Sequence, residues 1–242
     1  PVHPHWTDMA ERLPEPPAAR HAEDEAEHRE VTLEVPADGN IIDRLLMAIG
    51  GSTNAVLHLQ AIAYELDLDI EPEILNHLSK ETPFICDIIP SGPGDNHLGI
   101  LDEAGGIQAV LKELLSLLDG QVLTVTGHSL AETLAKIEPG NRSVIHSLDN
   151  PIAAEGGLIF LRGNLAPDGG LIKKSAVPAK MYHHQGPALI FVTEEEACDA
   201  LIENRIAAGD VVVVRFTGPK GDPGMRLLQR FLWQLAARGM QD

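Results

Sequence analysis

Cysteine is nearly absent from this chain of 242 residues: only Cys86 and Cys198 occur. They stand 112 positions apart, which excludes a disulfide scaffold, and two thiols cannot supply an all-cysteine metal or iron–sulfur site within one chain. Basic residues are scarce too, 18 against 36 acidic, leaving a formal net charge of −18. A field of that sign repels nucleic acid and anionic membranes over a Debye length. No apolar run reaches the roughly 18 residues of a membrane span, and the first residues lack the basic-then-apolar layout of a signal peptide. The expectation is a soluble, cytoplasmic protein with neither a nucleic-acid nor a membrane partner. Aromatics make up only 4% of the chain while Gly and Pro number 22 and 17, so the core must be built from Leu, Ile, Val and Ala and the loops must be numerous. That composition suits an α/β chain, and the length allows one large domain or two modest ones.

What is present is organised unevenly. Residues 1–30 mix proline with dense charge and few branched apolar residues, so they cannot offset the entropy of ordering and read as a disordered tail. From Val31 the sequence VTLEV alternates as a short strand, and IIDRLLMAI keeps a helical period before Gly50-Gly51. Ser52-Thr53-Asn54 offers N-cap side chains to a helix running to about Leu66, with Val56, Leu59, Ala63 and Leu66 on one face. Pro72 opens a second short helix, and Phe84–Ile88 reads as a buried strand. Gly105-Gly106 separates a short helix from one over Ile107–Leu118, a strand is expected at Val122–Val125, and Ser129-Leu130-Ala131-Glu132 is a capping box. Beyond Pro139 short apolar runs at Leu158–Leu161, Leu171–Lys173, Ala188–Val192 and Val211–Phe216 alternate with Gly, Pro and Asp, with one helix capped by Thr193. The expected layout is α/β over residues 31–145 and a β-rich part over residues 146–242, closed by a helix at Met225–Arg238.

Four stretches carry residues suited to chemistry. Gly50-Gly51-Ser52-Thr53-Asn54 sits at a helix N-terminus, where free amides and the positive dipole end suit a carboxylate or phosphate, although a capped helix needs no ligand to explain it. His58 follows one turn on. Pro90–His97 is a flexible loop after a buried segment, the usual place for binding groups in α/β folds. Gly163–Gly170 joins two strands and offers Asn164 and Asp168, with Lys173-Lys174 and His183-His184 nearby; ordinary turn chemistry accounts for it equally. Thr217–Met225 is a long Gly/Pro loop without the Gly-Lys-Ser/Thr of a phosphate loop. Metal-ligand spacing is poor: no Cys-x-x-Cys or His-Glu-x-x-His occurs, so no metal ligand is assigned. A Gly-x-Ser-x-Gly nucleophile elbow is absent as well. The stripe Leu227, Leu228, Phe231, Leu232 and Leu235 beside Trp233 marks a surface for self-association or ordinary core packing.

Five blocks, taken in order, are more specific: GGSTNAVLHL from Gly50, AGGIQAVLKEL from Ala104, LTVTGHSLAETL from Leu123, RGNLAPDGGLIKKS from Arg162 and AGDVVVVRFTGPKGDPGM from Ala208. Together they resemble the dihydroxy-acid dehydratase and phosphogluconate dehydratase family over residues 38–225. The resemblance implies the end of an N-terminal α/β/α domain followed by part of a C-terminal swivelling β-barrel, in a homo-oligomer or with a partner chain. It implies a hydro-lyase that converts a 2,3-dihydroxy acid or a sugar acid to a 2-keto acid with an iron–sulfur cluster and Mg2+. Branched-chain amino-acid biosynthesis and sugar-acid catabolism are both compatible with it. Lewis-acid pull on the C3 hydroxyl accompanies removal of the C2 proton by a base. The family's cluster cysteines and magnesium-binding Asp and carbamylated Lys precede the Gly-Gly-Ser-Thr-Asn block, where residues 1–30 carry no cysteine. Its metal-binding Glu follows Gly-Pro-Gly-Met-Pro, whereas Arg226 and Leu227 follow Met225 here. Its serine base would fall beyond Asp242. The expectation is therefore that this chain lacks the cluster and metal ligands, that the isolated chain is inactive, and that no catalytic residue is assigned. A non-catalytic fragment, or a subunit needing a partner chain, is the alternative. Ser52, Thr53, Asn54, Asn164 and Asp168 remain as substrate-side candidates.

Overall fold

The structure, a computed structural model, describes residues 41–65, 67–68, 71–89, 92, 94–217 and 228–240. The expected tail, the VTLEV strand, Leu66 and most of the Thr217–Met225 loop lie outside them. Helix α1 (Ile41–Ile49) buries Leu46, Met47 and Ala48. It ends in a Schellman turn: Gly50 takes φ +59, which a side chain disfavours, and the Gly51 amide donates to the Leu46 carbonyl at 2.8 Å. Helix α2 (Thr53–Glu65) follows with Ser52 at its N-cap, where Ser52 Oγ accepts from the Asn54 amide at 3.2 Å. Its Val56 and Ala63 turn inward as the period requires, while Ile62 and Tyr64 lie exposed. Helix α3 (Ile74–Glu81) completes this layer, and Leu46, Met47, Val56, Leu75, Leu78 and Leu158 form one core cluster.

A second cluster joins Ile85, Cys86, Leu101, Val110, Leu114 and Ile145. It is assembled from Phe84–Ile88, from α4 (Leu98–Glu103), and from α5 (Gly106–Leu114), whose helical path continues as a 3-10 turn over Leu115–Leu117. Phe84–Ile88 is buried as expected but is not a strand. The Ile85 and Cys86 amides both donate to the Ala48 carbonyl, Ile85 accepts from the His146 amide, and only Phe84 forms a bridge, with Ala153. A helix end and a long loop satisfy this backbone, so no ladder forms. The Val122–Val125 expectation also fails. Leu123 forms one isolated bridge, with Ser129, and Val125 is fully exposed, because the chain turns back at once: the Gly127 amide donates to the Thr124 carbonyl, and the Val122 and Thr124 backbone pairs with Leu130 and His128, leaving no length for a ladder. The capping box holds: Ser129 and Glu132 satisfy each other's amides at the start of α6 (Leu130–Ala135).

Among the described residues the later part of the chain contains two separate two-stranded sheets. β1 (Ile159–Leu161) and β2 (Gly170–Ile172) form an antiparallel hairpin, with Ile159 opposite Ile172 and Leu161 opposite Gly170. β3 (Ala188–Phe191) and β4 (Val211–Val214) are parallel, Ala188 opposite Val211, and a parallel pair needs a crossover. That crossover is α7 (Glu194–Ile202), capped by Thr193 as its sequence predicts. With α8 (Gln229–Ala237) it encloses a third core of Phe191, Ala197, Cys198, Leu201, Ile206 and Phe231. The architecture is thus mixed α/β with small sheets. Among the described residues no closed barrel is seen, and the helix expected after Thr193 makes β3 and β4 a parallel β-α-β unit, Glu194-Glu195-Glu196 in its first turn favouring the helix.

Candidate functional site

The end of α1 and the turn that leads into α2 are met by backbone from distant parts of the chain. The Gly157 amide donates to the Met47 carbonyl at 2.8 Å, and the Gly157 carbonyl accepts from the Ser175 amide at 3.2 Å. Ser175 Oγ adds a longer bond to the same carbonyl, 3.4 Å. Gly156 hangs from α3 through the Ser79 carbonyl at 2.7 Å. The Gly50–Asn54 block and the Lys173–Ser175 turn, far apart in sequence, therefore abut across the base of the β1–β2 hairpin. Ser52 is exposed, Thr53 and Asn54 are half-buried, and the exposed His58 lies a turn further along α2.

Lysine chemistry surrounds this junction. Lys173 is half-buried, and burial holds its ammonium pKa below the usual lysine value. Lys174 forms an ion pair with Glu155, and that hydrogen bond, with the lysine's charge, keeps the Glu155 carboxyl below its ordinary range. Lys174 also edges a groove of about 250 Å³ lined by Ile159, Leu161, Ile172, Val177 and Tyr182. The positive dipole end of α2, whose Asn54 amide is held by Ser52 Oγ, and the lysines of the turn after β2 both carry the sign of charge that suits a small carboxylate.

Asn164 and Asp168 sit elsewhere. Both are exposed in the turn at the opposite end of the hairpin, where Gly163 and Ala166 exchange backbone bonds of 3.2 and 3.1 Å. Three strand residues separate that tip from the base, about 10 Å at 3.4 Å per residue. The tip is tied to α3: Arg162 pairs with Glu73, its hydrogen bond lowering the Glu73 pKa, and Arg162 lies over the Phe160 ring at 5.4 Å from its centroid. Asn76 lends both ends of its amide to β1, with Nδ2 donating to the Phe160 carbonyl and Oδ1 accepting from its amide, each at 2.8 Å. The five candidates thus fall into two groups at the two ends of one hairpin.

The other stretches are placed as follows. In the Pro90–His97 loop, Pro90, Ser91 and Pro93 are outside the described residues; the Ile89 amide closes the loop on the Asn96 carbonyl at 2.8 Å, and buried Asp87 accepts from the Gly94 amide at 2.6 Å. His184 Nε2 meets the Gly209 carbonyl at 3.0 Å beside a groove of about 650 Å³ between β4 and α8, which none of the five candidates lines. Gly157 and Ser175 were not singled out by spacing. The only local signal is the Gly156-Gly157 doublet, the counterpart of Gly50-Gly51.

The implied cluster and magnesium ion do not fit the described residues. Cys86 and Cys198 belong to different cores, and burial pushes the Cys86 thiol up to about 11, with the Asp87 charge adding to it. Burial raises Cys198 as well. Each thiol is buried in its own apolar cluster, so the two are not brought together as a pair of ligands. No three His, Cys, Asp or Glu side chains among the described residues are grouped to hold a metal ion. Nor is any helix among them long and apolar enough to cross a membrane.

Comparison with known proteins adds a family. Residues 39–133 match the family model described as dihydroxy-acid/6-phosphogluconate dehydratase N-terminal, and residues 143–242 match its C-terminal counterpart. A dihydroxy-acid dehydratase of Methanothrix thermoacetophila is 49% identical over 187 residues, 76% of this chain and 34% of the relative. One from Desulfosudis oleivorans is 48% identical over 199 residues, 81% of this chain and 35% of the relative. One from Caldicellulosiruptor saccharolyticus is 47% identical over 182 residues, 74% and 33%. The chain spans about a third of the length of these relatives.

Proposed function

Since this chain belongs to the dihydroxy-acid/6-phosphogluconate dehydratase family, we propose that it serves the dehydration of a 2,3-dihydroxy acid or a sugar acid to a 2-keto acid. The observation that carries this is the 47–49% identity to dihydroxy-acid dehydratases across 74–81% of the chain. In such a reaction the C2–H bond breaks to a base, the C3 hydroxyl leaves as water after gaining a proton, and the enol tautomerises to the ketone. The residues of this chain bind and orient. Ser52, Thr53 and Asn54 present the α2 N-terminus to the substrate carboxylate, and Asn164 and Asp168 address the polar end of a longer acid from the hairpin tip. Base and acid are not assigned to any residue here, and iron–sulfur and magnesium chemistry would come from ligands beyond the described ones.

Residues 31–145 are proposed as the end of the α/β domain and residues 146–242 as part of the barrel domain, in a cytoplasmic protein that self-associates or joins a partner chain. The apolar side of α8, with Leu232 and Trp233 exposed, supports association. The test is 2-keto acid release from a branched 2,3-dihydroxy acid and from a sugar acid after purification without oxygen, with iron and acid-labile sulfide counted per chain. Turnover of either acid is the expected result when the chain works alone. Turnover only after adding a polypeptide that carries the family's Cys-Asp-Lys segment favours the partner-dependent subunit. No keto acid under either condition sinks the reading.

A further inference from the structure

We infer that Gly157 is a positioning residue for the proposed site: it sets how closely the Gly50–Asn54 loop approaches the Lys173–Ser175 turn. The inference rests on the dehydratase reading above and concerns how that site is put together. Gly157 is bonded on both sides, its amide to the last turn of α1 and its carbonyl to Ser175. A Cβ at this position would lie 2.5 Å from Gly50 Cα, 3.1 Å from Gly50 N and 2.9 Å from Ser175 Oγ. Two of these three are backbone atoms and cannot swing aside. Gly50 is itself held at φ +59 in the turn that delivers Ser52 to the N-cap, so a displaced Gly50 carries the first amides of α2 with it. Ser175 is likewise continuous with half-buried Lys173. Any side chain at 157 pushes the two halves of the site apart.

The neighbouring glycine provides the control. A Cβ at Gly156 would find its three nearest atoms all on the Met47 side chain in the core, Cβ at 2.7 Å, Sδ at 3.1 Å and Cγ at 3.2 Å. Gly156→Ala should therefore disturb packing without opening the site.

The experiment is a titration of the full chain, labelled with nitrogen-15, with 2,3-dihydroxy-3-methylbutanoate, reading affinity and the amide signals of Ser52–Asn54 and Lys173–Ser175, with the thermal midpoint recorded beside it. In the unmodified chain the acid is expected to move both groups of amides. Gly157→Ala should weaken binding at least about tenfold, since misplacing binding groups by roughly 1 Å has effects of that order or larger, and should shift both groups of amides before any acid is added. Gly156→Ala should lower the midpoint yet hold affinity within about threefold, less than the tenfold that corresponds to 1.4 kcal/mol. Adding Ser175→Gly to Gly157→Ala removes one of the obstructed contacts and should recover part of the lost affinity. Gly157→Ala binding as well as the unmodified chain, or Gly156→Ala losing as much affinity as Gly157→Ala, overturns the inference while leaving the dehydratase reading intact. An unmodified chain whose amides do not respond to the acid overturns that reading of the site, and the inference with it. Should Gly157→Ala not fold, Ser175→Val widens the same junction from the turn side, and unchanged affinity there overturns the inference equally.

Discussion

Asp43 is a carboxylate in the wrong surroundings for a charge. It lies buried on α1 beside Val56, Leu59, Pro72 and Leu75, and burial raises its pKa from 3.8 to about 6. A folded-state pKa above the unfolded one means the native chain holds the proton more tightly. Its contribution to stability is full below pH 3.8 and is lost as pH rises through about 6. At pH 7 to 8 Asp43→Asn is expected to stabilise the fold by up to about 3 kcal/mol, at 1.36 kcal/mol per pKa unit. Urea midpoints of the two proteins between pH 4 and pH 8 check it: the gap should open through pH 6, and parallel curves would refute the assignment. Residue-level chemistry of this kind was not legible beforehand. The helical period of IIDRLLMAI says nothing of Asp43, and only the packing of α2 and α3 against it reveals the cost.

At the scale of elements, local signals and tertiary ones part company. The caps at Ser52, Ser129 and Thr193 could be read directly because a cap involves neighbours within three residues. Ser129→Ala should accordingly cost about 1 kcal/mol, seen as a lower thermal midpoint. Phe84–Ile88 and Val122–Val125 share the apolar, β-branched look of strands. One is buried against Ala48 and His146 without a ladder and the other projects into solvent, because strand formation needs a partner that no window of sequence specifies. The α1–α3 layer makes a sharper prediction. Leu78 is almost wholly buried among Met47, Val56, Leu75 and Leu158, so Leu78→Ala should destabilise by about 2–5 kcal/mol, read from denaturant midpoints.

For the whole molecule, the order of helices and strands was broadly readable and the closure of the second half was not. The helices before Pro139, and the strands at Ile159, Gly170, Ala188 and Val211, follow from apolar period and Gly/Pro punctuation, whereas the strands expected between those helices do not form among the described residues. A barrel is a statement about which strands are neighbours, and here β1 pairs only with β2 and β3 only with β4 among the described residues. The same limit applied to the site: Gly50 and Ser175 flank Gly157 from two sides, a juxtaposition that no spacing rule encodes. A charge of −18 also acts at this scale. If copies associate through the apolar side of α8, screening their mutual repulsion should strengthen association. Sedimentation at tens of micromolar is expected to show larger species as salt is raised from low concentration, and Trp233→Ser should suppress them; a single monomer throughout would contradict the proposed association.

The amide of Asn76 has a consequence of another sort. By occupying both backbone groups of Phe160 it stands in for a third strand along one flank of the hairpin. Phe160 faces Leu171, so the bonds to Asn76 place that pair among those that do not bond across the ladder, and the Leu171 amide and carbonyl point to the far flank. The hairpin is thereby a one-way template: growth by strand addition is stopped on the β1 side and permitted on the β2 side. Asn76→Ala would remove the stop. Its expected signature is faster hydrogen exchange at the Phe160 amide and thioflavin-positive material forming sooner on storage.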